Sequence, residues 1–119
     1  DAIKFRSLVE EQFGGKVLLL REAVAWREMT HARYPFAQFV VMPGTQSEWS
    51  VIATTIHPTS RTMISPEGIK RPEGFEGFIH EGRWIAGCAS LEEALEVARQ
   101  SIVSLSKLNP PVESNIITA

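Results

Sequence analysis

Cysteine, aspartate, long hydrophobic runs and excess positive charge are all scarce in this 119-residue sequence. Cys88 is the single cysteine, which excludes a disulfide framework within one chain and favours a reducing, cytoplasmic compartment. Asp1 is the only aspartate, and His31, His57 and His80 match no spacing that is typical of metal ligands. Hydrolases that hold divalent metals for phosphoester chemistry rely on aspartates, so we expect no metal, no cofactor and no catalysis from this chain alone.

Hydropathy and charge exclude further classes of protein. The apolar runs, such as residues 17–20, are too short to span a bilayer, and residues 1–13 mix charge throughout, so we expect neither a membrane span nor a secretory signal. Lysine and arginine count 12 against 14 aspartates and glutamates, which gives a net charge of −2. Any site for a polyanion must therefore be a local patch.

The composition indicates one globular domain. Hydrophobic residues make up 44% of the chain, which excludes intrinsic disorder, and this length suits a single core. We predict a single domain over residues 1–106 and a loose tail over residues 107–119, because Asn109-Pro110-Pro111 ends the last helical pattern. The first residue lies inside a helical pattern, so we expect the sequence to be a domain excised from a larger protein.

Two amphipathic helices are predicted, one near each end of the chain. The N-terminal helix is predicted from apolar residues at helical spacing followed by a glycine pair: Phe5, Leu8, Val9 and Phe13, then Gly14-Gly15. Residues 90–93 form a capping box, in which the Ser90 hydroxyl accepts from the Glu93 amide and the Glu93 carboxylate reaches back to the Ser90 amide. The helix that follows is expected to run to about Leu105.

About five strands are predicted between these helices. They are a strand buried on both faces (residues 16–20, which residues 21–26 could extend) and two hairpins (38–42 with 49–56, and 77–80 with 83–87). Glu81-Gly82 is the expected two-residue turn of the second hairpin. Residues 27–34 predict a short helix and residues 57–76 an irregular excursion. The predicted fold class is α+β: one mostly antiparallel sheet of about five strands, with the N- and C-terminal helices packed on one face.

A ligand site is predicted where the second hairpin meets the C-terminal helix, at His80, Arg83, Gly87, Cys88 and Ser90. The turn directs His80 and Arg83 outward, the small residues let a ligand approach the backbone, and the helix start offers free amides to an anion. An alternative is that the small residues only let the helix pack tightly on the strand. Cys88 as a nucleophile is a less favoured alternative to Cys88 as a packing residue.

Two other sets of residues have both a structural and a functional interpretation. The basic residues of the excursion belong to a solvated loop or contact a nucleic-acid backbone: Arg61, Lys70 and Arg71. The tryptophans are expected to pack in the core or on a sheet face: Trp26, Trp49 and Trp84.

Three stretches also carry motifs of a known family. They are a strand followed by Ala-Trp-Arg-Glu (residues 17–28), Phe-Val-Val-Met-Pro with Trp-Ser-Val (39–51), and Gly-Phe-Ile-His through Trp-Ile-Ala-Gly with the helix after it (77–99). In order and spacing they resemble the C-terminal domain of the melanocyte-proliferating-gene (Myg) family, over most of residues 5–103. Ala25 stands where that family has Pro, Ala86 replaces the first Gly of a Gly-Gly pair, and the excursion lacks the family's Trp-x-Gly-Leu element.

The resemblance implies a function for the chain. The Myg family belongs to the DHH phosphoesterase superfamily of metal-dependent hydrolases or exonucleases, whose catalytic domain with its Asp and His metal ligands lies outside this sequence. By resemblance the chain is an accessory, substrate-recognition lobe that binds a nucleotide or a short single-stranded nucleic acid beside a DHH catalytic domain, which holds the divalent metal. The alternative from another class is a non-enzymatic α+β module for protein interaction or homo-oligomerisation through its sheet.

Overall fold

A computed structural model describes residues 7–44 and 47–103 of the chain. Its strands are β1 (Val9–Gln12), β2 (Val17–Leu20), β3 (Phe39–Pro43), β4 (Trp49–Ala53), β5 (Phe78–Ile79) and β6 (Ile85–Cys88). The helices with described bounds are α1 (Arg27–Arg33) and α2 (Leu91–Ser101). None of the helices in the described ranges is long and apolar enough to cross a membrane.

The six strands form one sheet in the order β1-β2-β3-β4-β6-β5. The β2–β3 pair is parallel, and the other four pairs are antiparallel. The parallel pair needs a crossover connection, which α1 supplies. The prediction of an α+β fold with a mostly antiparallel sheet is thus confirmed, with six strands where about five were expected.

The segment expected to be an N-terminal helix is mainly a strand. Leu8 is helical, but residues 9–12 form β1, which pairs with β2 from Val9↔Leu20 to Gln12↔Val17. Phe13 (φ 53°) and the glycine pair after it (φ 71° and 85°) form the turn of this hairpin. The pairing covers one edge of β2, whose four residues are all buried and whose backbone groups need partners. The remainder of the expected helix, including Phe5, lies outside the described residues.

The sheet is covered on both faces: the C-terminal helix α2 packs on one, as expected, whereas most of the segment expected to be the N-terminal helix is β1, a strand of the sheet itself. One face packs against α2 and buries Val17, Leu19, Phe39, Val41, Val51, Ala86, Ala94, Val97 and Ala98. The other face buries Leu18, Leu20, Trp26, Val40 and Met42, and two further side chains pack against them, Leu8 from the segment before β1 and Met29 from α1. Residues 21–26 do not extend β2; they lead into α1, and Trp26 lies over the second face.

The capping box of α2 forms as predicted, with one difference. Ser90 Oγ accepts from the Glu93 amide at 3.1 Å, but the Glu93 carboxylate accepts from the amide of Ala89, at 2.9 Å, and not from that of Ser90. At the other end, Ser101 Oγ accepts from the amide of Lys70 at 2.9 Å, which ties the helix to the excursion. The helix ends at Ser101, because Ile102 is extended (φ −63°, ψ 136°), so the predicted extension to Leu105 is wrong. The predicted tail (107–119) lies outside the described residues.

The excursion, residues 57–76, has no helix or strand and packs closely against the second hairpin. Gly68 has a φ of +67°, and its backbone is so close to Arg83 that an added Cβ would lie 2.4 Å from the Arg83 carbonyl oxygen. The next amide, that of Ile69, donates to the same carbonyl at 2.9 Å. The excursion therefore supports the turn on which part of the predicted site lies.

Candidate functional site

The structure divides the five predicted site residues between the two ends of β6. His80 and Arg83 lie at the turn that precedes this strand, whereas Gly87, Cys88 and Ser90 lie where it leads into α2. Because a strand rises about 3.3 Å per residue, the backbone of Arg83 and that of Cys88 are roughly 16 Å apart. One small ligand therefore does not contact both groups, and each end must be considered by itself.

The turn end is held by backbone and ring contacts. The amide of Arg83 donates to the His80 carbonyl at 2.7 Å, which puts Glu81-Gly82 at the centre of the turn as predicted. Arg83 itself follows with a left-handed φ of 62°, so the loop is longer than the two residues expected. The amide of Gly82 donates to Nδ1 of His80 at 2.9 Å, which fixes the orientation of the imidazole ring.

Three aromatic side chains of this hairpin form a row that is exposed at both ends and half-buried in the middle, which we call the aromatic row (Phe78, His80 and Trp84). The Phe78 and His80 ring centroids are 6.5 Å apart in an edge-to-face arrangement, and those of His80 and Trp84 are 5.2 Å apart. Phe78 is 61% exposed and Trp84 42% exposed. The sequence analysis expected Trp84 to pack in the core or on a sheet face, and it did not predict Phe78 as a site residue. The signal was the alternation of Phe78 and His80, which puts both on one face of a strand.

Beside Trp84 lies a cleft of about 420 Å³, which we call the arginine cleft. It is lined by Arg27, Ala53, Thr55, Pro58, Ser60, Arg61, Met63, Gly82 and Trp84. Two arginines thus line one opening next to a half-exposed indole, and the described lining includes no aspartate or glutamate. The sequence hypothesis that Arg61 contacts an anion fits this position, whereas Arg27 was not foreseen as a site residue.

Arg27 is positioned by two neighbouring side chains. Its guanidinium carbon lies 4.6 Å from the centroid of the Trp26 ring, a cation–π contact. The ring of His31 lies between two backbone carbonyls, with Nδ1 2.7 Å from the oxygen of Arg27 and Nε2 2.6 Å from that of Thr55. His31 therefore links the start of α1 to the end of β4, and so brings two lining residues of the arginine cleft together.

A second, smaller cleft adds positive charge to the turn end. It measures about 240 Å³ and is lined by Ile69, Arg71, Ile79, His80, Glu81 and Arg83. Arg71 also donates to the carbonyls of Phe75 and Gly77, each at 3.0 Å, so its charge is fixed in place by the excursion. The described linings of the two clefts together contain four arginines and one carboxylate, that of Glu81.

The helix end of β6 has the opposite charge. Two clefts of about 760 and 390 Å³ open there, and the described lining of neither includes a lysine or an arginine. Their carboxylates come from Glu48, Glu73, Glu76, Glu92, Glu93 and Glu96. The start of α2 is already occupied by the Ser90 hydroxyl and the Glu93 carboxylate. The anion site expected at Gly87, Cys88 and Ser90 therefore conflicts with the local charge.

Cys88 is a packing residue in this structure. Its side chain is 2% exposed on the α2 face of the sheet. Burial, with a smaller contribution from the charge of Glu93, raises the pKa of the Cys88 thiol to about 12. Since the thiolate is the nucleophile, the geometry does not favour covalent catalysis at Cys88. Within the described ranges, no group of three or more His, Cys, Asp or Glu residues could hold a metal ion.

Comparison with protein-family models, with curated proteins and with solved structures finds no match to this chain. The geometry and charge of the site are therefore the basis for proposing a function.

Proposed function

We propose that the chain is a recognition module that binds a nucleotide or a short single-stranded nucleic acid and does not catalyse hydrolysis alone. The observation that carries the proposal is the arginine cleft, where Arg27 and Arg61 lie beside the exposed ring of Trp84 without a carboxylate in the described lining. This arrangement offers the two groups that a nucleotide needs, a cationic group for phosphate and an aromatic face for a base.

The chemistry of these side chains fits that ligand class. Guanidinium groups form paired, charge-assisted hydrogen bonds with phosphate oxygens. An aromatic side chain stacks on any nucleobase, because every base has a π-face. The same turn lies next to the second cleft with Arg71 and Arg83, so the positive charge extends beyond one phosphate.

The resemblance to the Myg family places this recognition function in a wider proposal. A lobe of this kind would present the nucleic acid to a DHH catalytic domain, and that domain would supply the divalent metal. The buried Cys88 thiol and the charge of the arginine cleft support a binding role for this chain over a catalytic one.

The alternative of protein interaction or homo-oligomerisation through the sheet has less support, because both faces of the sheet are covered. The edge strand β5 has only two residues, and Arg71 already donates to the carbonyl of Gly77 beside it. Short edge strands with occupied backbone groups are poor templates for pairing with a second sheet. The exposed Phe78 ring is the feature that favours a protein partner.

The proposal is tested by calorimetric titration of the purified chain with adenosine monophosphate and with a short oligothymidylate. We expect binding that is weakened about tenfold by Arg61→Gln, because a charged hydrogen bond contributes about 1.5–3 kcal/mol. Arg33→Gln is the matched control, since Arg33 is an exposed arginine at the far end of α1. Absence of binding at millimolar ligand would contradict the proposal. EDTA-sensitive cleavage of the oligonucleotide would contradict its non-catalytic part.

A further inference from the structure

We infer that the ligand of this site is a single strand of two or three unpaired nucleotides, whose bases stack along the aromatic row while a phosphate lies in the arginine cleft. The inference rests on the proposed function and specifies its ligand. On this inference a duplex does not bind at the aromatic row, and a mononucleotide occupies only part of the site.

The aromatic row is an open platform, because the residues beside it are small. In the sheet register, Phe78 lies opposite Gly87, and Gly87 lies opposite Ser50 of β4. A Cβ at Gly87 would lie 3.0 Å from Ser47 Oγ and 4.0 Å from the Cβ of Phe78, so the nearest side chain over Gly87 is the small Ser47. The Phe78 ring therefore projects above its neighbours, which agrees with its 61% exposure.

The row continues from this platform to the arginine cleft. The ring of His80 lies between those of Phe78 and Trp84, and Trp84 lines the cleft. Proteins that bind single-stranded RNA through a sheet stack two or three bases on exposed aromatic side chains. Paired bases in a duplex do not expose their faces, so stacking on the row requires a single strand.

The charge around the row sets an upper limit on the length of the strand. Phe78 also lines the acidic cleft of about 760 Å³, together with Glu48, Glu76 and Glu93. A nucleotide beyond Phe78 would bring its phosphate toward these carboxylates, and like charges repel. Binding energy should therefore accumulate from the arginine cleft to Phe78 and stop there.

The experiment measures the dissociation constants of oligothymidylates of one, two, three and six nucleotides, and of a short duplex, by calorimetry. We expect each added base up to the third to tighten binding about fivefold or more, in line with base–aromatic stacking in other proteins. The six-nucleotide strand should bind no more tightly than the trinucleotide after correction for the number of binding registers. The duplex should bind at least tenfold more weakly than the trinucleotide.

Three variants locate the contacts. Phe78→Ala should weaken trinucleotide binding about fivefold or more without changing mononucleotide binding, and Trp84→Ala should weaken both. Phe78→Leu keeps an apolar side chain without a ring and should behave as Phe78→Ala, which separates stacking from folding. The control is Phe13→Ala, since Phe13 is also exposed but lies in the β1–β2 turn, at the opposite edge of the sheet.

The outcomes distinguish this inference from the proposed function. Equal affinity for one and three nucleotides, equal affinity for duplex and single strand, or no effect of Phe78→Ala on the trinucleotide would overturn the inference and leave nucleotide binding intact. A six-nucleotide strand that binds tenfold more tightly than the trinucleotide would overturn the length limit. Absence of binding by every nucleotide would overturn the proposed function as well.

Discussion

Replacing Gly68 by alanine tests how closely the excursion packs against the turn that carries Arg83. A Cβ at Gly68 would lie 2.4 Å from the carbonyl oxygen and 2.8 Å from the Cβ of Arg83, and the residue has a φ of +67°. A left-handed alanine costs about 1–2 kcal/mol and overpacking about 1–3 kcal/mol, while a stiffer unfolded chain offsets about 0.4–1 kcal/mol. We therefore expect Gly68→Ala to lower the free energy of unfolding by about 2–4 kcal/mol.

Alanine substitutions at two other glycines separate the cost of the left-handed backbone from the cost of the steric contact at Gly68. Gly14 and Gly74 have φ values of +71° and +83°, but nothing lies within 4 Å of a Cβ added at either position. Alanine at these sites should cost about 1 kcal/mol, which is the backbone contribution alone. Urea unfolding followed by tryptophan fluorescence measures all three variants. Equal losses for Gly68→Ala and the two controls would refute the close packing of the excursion on the turn.

The remaining predictions concern Cys88 and the cap of α2. Because the folded-state pKa of Cys88 is raised to about 12, the stability contributed by the protonated thiol should be complete below about pH 8.5 and lost as the pH rises toward 12. Cys88→Ala should reduce the loss of unfolding free energy at alkaline pH, as measured by urea unfolding. Iodoacetamide should modify Cys88 at pH 8 much faster in denaturant than in the folded chain, and equal modification rates would contradict its burial. Ser90→Ala should lower the free energy of unfolding by about 1 kcal/mol through loss of the cap, and a neutral effect would show that Glu93 caps the helix without it.

The elements that could be predicted from the sequence are those specified by neighbouring residues. The apolar run of β2 predicts a strand buried on both faces, and Ser90 with Glu93 predicts the start of α2. The segment that became β1 was predicted wrongly, because its apolar spacing also fits a helix. Its pairing with β2 depends on a neighbouring strand, which the local pattern does not contain.

The candidate site was harder to predict than the fold. Arg27, Arg61 and Trp84 come from α1, the excursion and the turn before β6, and only the folded chain brings them to one cleft. The prediction instead grouped residues that are close in sequence, from His80 to Ser90. The strand β6 lies between the first and the last of these residues and keeps them apart. Local spacing also could not show that carboxylates from several segments surround the start of α2.

The opposite charges at the two ends of β6 give the molecule an electric dipole that its net charge of −2 does not reveal. The backbones of Arg83 and Cys88, which belong to these two regions, are roughly 16 Å apart, about twice the Debye length of ~8 Å in physiological salt. An anion that approaches the turn is therefore largely screened from the distant carboxylates and meets a locally cationic surface. In dilute buffer the screening length exceeds this separation, so the carboxylates also act on the anion. Lowering the salt should therefore accelerate association less than the four arginines alone would predict.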